Sequence, residues 1–236
     1  MRRVEPSDAE IWTGAAWRMV EAQHIASTMK LVDGQAEQDL LESLLEESKP
    51  AMPATVAGLD YLLATPFRYP TRTAGSRFRS VTDPGVFYGA ESERTAGAEL
   101  GYWRWKFLMD SPELTSLAPI AHTAFRAFIK ARSIDLRSPS FHANAKHWRH
   151  PTDYSATQAL ARQARASAVE AILYTSVRDP EPAWCVALLT PTGFAKPKHD
   201  AATHTWFLSV DRHAVTWRRD KASMTFSAEP WQQSGK

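Results

Sequence analysis

Gly85-Val-Phe-Tyr-Gly-Ala90, then Glu91-Ser92, then Glu93-Arg-Thr-Ala-Gly-Ala-Glu-Leu-Gly101 carry the sharpest structural signal in the chain. The first segment has the aromatic and glycine content of a short strand. Ser92 stands where a hydroxyl accepts from the free N–H groups of a helix start, which predicts a helix over about Glu93–Met109. A strand therefore leads directly into a long helix. Downstream, Thr123–Ile129 reads as a half-buried strand and Ser155 to about Ala168 as an alanine-rich amphipathic helix introduced by Asp153. Ala171–Val177 follows as a strand, Asp179-Pro-Glu-Pro182 as a turn, and Trp184–Leu189 as a second apolar strand. Thr205–Val210 and Ala214–Arg218 form a hairpin around Asp211-Arg-His213. Strands and helices interleave without a regular βαβ rhythm, which favours α+β over a doubly wound sheet.

Upstream the pattern reads as helical from about residue 7 to 48, with Leu31 and Val32 ending one stretch at Asp33-Gly34. Leu40, Leu41, Leu44 and Leu45 mark the buried face of a second stretch, expected to pack on its own domain or on a homodimer mate. Lys49-Pro50-Ala-Met-Pro53 stops it, and Gly58–Leu63 is a further short helix. The two prolines of Thr65-Pro-Phe-Arg-Tyr-Pro70 predict an extended path. Residues 1–65 are thus expected as a helical N-terminal extension, and residues 66–236 as the domain that carries the chemistry.

With 236 residues, 44% of them apolar, the chain is long enough to bury a sizeable core. Lys and Arg number 28 against 26 Asp and Glu, a balance that does not mark a dedicated nucleic-acid or membrane binder. Cys185 is the only cysteine, which excludes an intrachain disulfide and a cysteine zinc cluster and points to a reducing, cytosolic setting. No signal-peptide core and no apolar run near the length of a membrane span is present. The Gly-x-Gly-x-x-Gly, Walker, His-Glu-x-x-His and Gly-x-Ser-x-Gly motifs are likewise missing.

Residues of chemical interest concentrate between Phe67 and Glu99. Gly75-Ser-Arg-Phe-Arg79 sets two cations about an aromatic after a glycine, either a grip for a phosphate or a solvated basic strand. Tyr88 follows in the short strand. Glu99 lies among Ala96, Gly97, Ala98 and Gly101, small residues that let a sheet or ligand come close; it faces a pocket or pairs outside with Arg94 or Arg104. Tyr174-Thr-Ser-Val-Arg178 ends an apolar strand with hydroxyls and a cation that point into a cleft or cap a turn. His147 and His150 have ligand spacing but no evident third ligand, so a surface loop is the simpler reading.

Taken in order, Phe67-Arg-Tyr-Pro70, Gly75-Ser-Arg-Phe-Arg79, Gly85–Ala90, Thr95-Ala-Gly-Ala-Glu99 and Ala171–Arg178 resemble the RES-domain family. The resemblance covers roughly residues 66–190 and rests on the order of these short segments. It implies a fold similar to ADP-ribosyltransferase toxins, with mixed sheets and helices, and maps the family's arginine, tyrosine, glutamate and serine onto Arg77, Tyr88, Glu99 and Ser176. It further implies a bacterial toxin that consumes NAD as substrate by phosphorolysis or hydrolysis, needs no metal, and is neutralised by an Xre-type antitoxin. Inorganic phosphate is then a possible co-substrate, and Arg68, Arg79 and Arg178 are further candidates for holding dinucleotide or phosphate. The alternatives are protein ADP-ribosylation and a catalytically silent NAD- or ADP-ribose-binding module. Direct nucleic-acid binding, prompted by a pI near 8.7 and many aromatics, is the least supported.

Overall fold

In the computed structural model, residues 4–22, 34–69 and 75–233 are described. The elements run β1 (Glu10–Glu21), α1 (Gln35–Glu47), α2 (Tyr61–Arg68), β2 (Phe87–Ala90), α3 (Glu93–Met109) and β3 (Ser116–Asp135). They continue as α4 (Ala145–Trp148), α5 (Ser155–Ala166), β4 (Ala171–Thr175), β5 (Trp184–Leu188), β6 (His204–Asp211), β7 (Ala214–Arg219), β8 (Ala222–Ser227) and α6 (Glu229–Gln233). The architecture is α+β, and among the described residues no helix is long and apolar enough to cross a membrane.

All the strands join one sheet in the order β1-β2-β5-β4-β3-β6-β7-β8. β1 also pairs with β3, so the five strands β1, β2, β5, β4 and β3 close on one another and β6–β8 extend from the N-terminal half of β3. Every pairing is antiparallel except β3 with β4. Within β3 the register against β6 shifts between Leu117 and Ile120. Pro119 sits there, and a residue without an N–H cannot complete a ladder. Alternation then sorts the side chains. Ala16, Phe87, Phe125, Ala127, Ile129, Leu173, Val186 and Leu188 make one core with Leu63 of α2. Ala90, Ile172, Tyr174, Cys185, Leu208, Val215 and Trp217 make the other, against α3 and α5.

The N-terminal expectation needs correction. Residues 10–21 are a strand, not a helix, and pair with β3 from Glu10 opposite Ser133 to Glu21 opposite His122. Both faces of β1 meet protein, so apolar residues fall on consecutive positions and the period of two is blurred. The ladder to β3 outweighs the weak helix preference of its alanines and methionine. Gly89 makes room for this strand, since a Cβ there would lie 2.7 Å from Ala16 Cβ. The stretch ending at Leu31 and Val32 lies outside the described residues.

Two other local readings change as well. Helix α2 runs through Pro66 instead of breaking before it. Asp60 caps its start by accepting from the Leu62 N–H at 2.9 Å, Leu63 and Ala64 are buried, and the proline falls close enough to the end to forfeit little of the ladder. Helix α1 forms, but Leu40, Leu44 and Leu45 are 60%, 53% and 42% exposed, so within one chain they do not pack on their own domain. The double substitution Leu40→Ala and Leu44→Ala is therefore expected to change the unfolding free energy by less than about 1 kcal/mol. Denaturant unfolding at low protein concentration checks this; a loss of several kcal/mol would show these leucines covered.

Candidate active site

Helix α3 is held at its first turn, which fixes the direction of its remaining turns. Ser92 Oγ accepts from the Thr95 N–H at 3.1 Å, and Glu93 accepts from His204 Nδ1 at 2.7 Å and Trp206 Nε1 at 2.6 Å on β6. The far side of the helix packs against β7, with Trp217 Nε1 donating to the Gly97 carbonyl at 3.1 Å. Ala96 and Glu99 are left facing a cleft.

Ser176, immediately after β4, meets Glu99 there. Its Oγ donates to Glu99 Oε1 at 2.6 Å and accepts from the backbone N–H groups of Arg178 at 3.2 Å and Asp179 at 3.1 Å. With both lone pairs engaged, the hydroxyl proton has one direction left, toward the carboxylate. Cys185 Sγ lies 3.8 Å from the same oxygen, and burial pushes its thiol well above the ordinary range, so it stays a protonated, weak donor. Arg94 pairs instead with Asp179 and Glu181, and Arg104 with Glu21, so neither neutralises Glu99.

A buried clamp sets the spacing of the two segments. Thr95 Oγ1 donates to Asp179 Oδ2 at 2.9 Å, tying the turn after Ser176 to the first turn of α3. Thr95→Val removes the donor and leaves a buried carboxylate oxygen underserved, an expected loss of about 2 kcal/mol. Thermal unfolding checks it, and a melting point equal to the parent's would show that the clamp adds nothing to stability.

The Ser76–Arg79 turn forms a second wall. A Cβ at Gly75 would lie 2.5 Å from the Arg79 carbonyl, so the turn requires glycine there. Tyr88 braces it: the phenol oxygen accepts from the Phe78 N–H at 2.9 Å and lies 2.8 Å from Ser76 Oγ. Burial raises the Tyr88 pKa, which keeps the phenol neutral. Phe78 is fully buried, edge-on to Tyr174 at 4.9 Å between centroids. Arg77 is thereby aimed at the C-terminal end of α4 and the residues after it, where Nη1 donates to the Trp148 and His150 carbonyls, both at 3.0 Å. Its guanidinium carbon lies 4.8 Å from the Tyr154 ring centroid. Arg178 reaches the same segment, donating to the Pro151 carbonyl and to Tyr154 Oη at 3.1 Å, with its guanidinium 3.4 Å from the Tyr102 ring centroid.

The cleft so built is open at its mouth and encloses about 210 Å³. Arg77, Tyr88, Glu99 and Arg178 line it, together with Tyr174, Cys185, Trp103 and Tyr154. Ser176 sits behind Glu99 through its hydrogen bond. Arg68 and Arg79 do not line it. Arg68 Nε donates to the Pro50 carbonyl at 2.7 Å, and Arg79 donates to the carbonyls of Asp83 at 3.1 Å and Tyr69 at 3.0 Å. His150 Nδ1 accepts from the Asp153 N–H at 2.8 Å, a turn contact.

Sequence reasoning missed Trp17 and Met19, which line the cleft from β1. Reading that segment as helix hid them, although Trp12, Thr13, Trp17 and Val20 are strand formers that carried the signal. It also missed Tyr154, whose ring lies beside both cleft arginines on the α4–α5 side.

No curated protein matches the chain. Among solved structures it is similar to the M. tuberculosis MbcT–MbcA toxin–antitoxin complex, at 12% identity and a TM-score of 0.46, over 96% of this chain and 92% of that one. The RES-domain family model matches residues 52–211, more than half of the chain. Arg77, Tyr88, Glu99 and Ser176 all fall inside that span, and the chain belongs to the RES-domain family.

Proposed function

We propose that the protein cleaves the bond between nicotinamide and ribose in NAD, with phosphate or water as acceptor, and acts as a toxin held in check by an Xre-type antitoxin. The observation that carries this reading is the Ser176–Glu99 hydrogen bond of 2.6 Å at a cleft that Arg77 and Arg178 also line. As the glycosidic bond breaks, its electron pair leaves with nicotinamide, which departs neutral, and positive charge builds on the ribose. A carboxylate held in place opposes that charge without having to reorganise. Ser176 fixes Glu99 in one rotamer. Arg77 supplies planar, permanently charged donors suited to a pyrophosphate, and the neutral Tyr88 ring supplies an apolar wall for the base or sugar. A phosphate or water oxygen then bonds to the ribose carbon, the water giving up a proton.

The test is incubation with NAD, with and without phosphate, and identification of the products by mass. Release of nicotinamide with ADP-ribose phosphate, or with ADP-ribose alone, supports the reading and separates the acceptors. An ADP-ribose mass added to protein would replace it with a transferase, and NAD binding without turnover with a silent module.

A further inference from the structure

Helix α3 carries a second cleft residue one turn beyond Glu99. Trp103 stands four positions on, which sets it about 6 Å further along the axis on nearly the same helical face. Ala98, Gly101, Tyr102 and Trp105, on the other faces, are buried. Trp103 lines the cleft and is nevertheless 45% exposed. Its place is fixed by neighbours that the arginines also use. The indole meets the Tyr154 ring edge-on at 6.5 Å between centroids, and Tyr154 lies 4.8 Å from the Arg77 guanidinium and accepts from Arg178 Nη2 at 3.1 Å. A second edge-on contact, at 5.3 Å, is to Tyr102, whose ring also meets Arg178.

These two neighbours hold the indole without stacking on it, and among the described residues no ring lies parallel to it. A flat heteroaromatic ring laid on it would remove apolar surface from water and add dispersion contacts. The position says which ring. In NAD the nicotinamide must stand at Glu99, where its bond to ribose breaks, and the pyrophosphate follows toward Arg77 and Arg178. The enclosed part of the cleft, about 210 Å³, falls short of the roughly 300–1,000 Å³ of pockets that take up a drug-sized ligand, so one end of a dinucleotide stays at the mouth. The adenine is that end, and Trp103 is the most open aromatic of the lining.

We propose that Trp103 is the adenine-stacking residue of the cleft. The choice of ligand rests on the NAD-cleavage reading and extends it by naming what holds the half of the substrate that does not react. A contact to that half is made equally in the ground and transition states, so it sets KM and leaves the bond-breaking step to Glu99.

The experiment uses the full chain with Trp103→Ala and Trp103→Phe, and with Phe107→Ala as a control one turn further out, 54% exposed and not part of the cleft lining. Dissociation constants are measured by calorimetry for ADP, which carries adenine and two phosphoryl groups, and for inorganic pyrophosphate, which carries no base. Trp103→Ala is expected to melt within a few degrees of wild type, to weaken ADP by roughly 10-fold or more and to leave pyrophosphate within twofold. Trp103→Phe should keep most of the ADP affinity, and Phe107→Ala should change neither constant. With NAD, Trp103→Ala should raise KM by a similar factor, with kcat reduced far less. ADP affinity within twofold of wild type in Trp103→Ala would overturn the proposal. Equal weakening of both probes would also overturn it, because Trp103 would then act by positioning Tyr154 and the arginines. So would a wild type that binds ADP no more tightly than pyrophosphate. A wild type that binds ADP but does not turn over NAD ends the cleavage reading alone, and the comparison of ADP with pyrophosphate still decides the role of Trp103.

Discussion

Glu99→Gln is expected to slow nicotinamide release from NAD by roughly 100-fold or more while the protein melts near the wild-type temperature. The amide matches the carboxylate in size, and its oxygen still accepts from Ser176 Oγ, so the 2.6 Å contact has a substitute. What disappears is the charge. A fixed anion beside a developing cation is worth about 3 kcal/mol of barrier, which corresponds to a factor of about 100 in rate. Glu99 makes no ion pair with Arg94 or Arg104, whose partners lie elsewhere, so the substitution breaks no salt bridge there. Single-turnover measurement of nicotinamide release separates chemistry from product release. Turnover within a few-fold of wild type would take Glu99 out of the reaction.

The parts of the fold that were legible in the sequence are those whose signals are local. Ser92 followed by Glu93–Met109 is one such case, because an N-cap acts within one turn of the helix it starts. The hairpin of β6 and β7 is another, since Asp211 Oδ1 accepts from the His213 N–H at 2.7 Å and the Ala214 N–H at 2.8 Å, a turn written in its own residues. β1 has no such local cause. Its strand state comes from a partner more than a hundred residues away, and because both its faces meet protein the alternation that would have revealed it is blurred. The leucines of α1 show the opposite limit: their spacing fits a helix, which forms, but spacing does not say whether the face is covered by its own chain, and in one chain it is not.

For the site, it was the family resemblance that named Glu99 and Ser176, which the fold sets 2.6 Å apart, and put Arg77 ahead of Arg79; residue types alone do not rank the two arginines. Arg77 and Arg79 flank Phe78 in a tight turn in which Ser76 and Arg79 pair, so Arg79 is drawn back to the carbonyls of Asp83 and Tyr69 while Arg77 projects to the cleft. No pattern of charge and aromaticity distinguishes those two directions. Trp17 and Met19 were hidden twice, by the misread strand and by lying outside every segment with a motif. The cleft is therefore assembled from both the recognisable segments and a strand that only the tertiary pairing brings in.

Arg77→Ala is expected to differ from Glu99→Gln in kind. Arg77 is 7% exposed and braces the Trp148 and His150 carbonyls, and its guanidinium lies over Tyr154. Truncation strands two carbonyls and removes the ring contact, an expected loss of about 3 kcal/mol or more of stability. A pyrophosphate contact is made equally in the ground and transition states, so the kinetic effect should fall on binding: KM for NAD should rise about 10-fold or more, with kcat reduced far less. Arg77→Lys separates the two roles. An ammonium can still donate to the carbonyls but cannot present a planar fork, so it should recover more of the stability than of the affinity. Melting curves and initial-rate kinetics on both variants decide the matter. An unchanged KM with a collapsed kcat would mean that Arg77 acts at the reacting bond, and full recovery of affinity by lysine would mean that its charge alone, and not its geometry, holds the substrate.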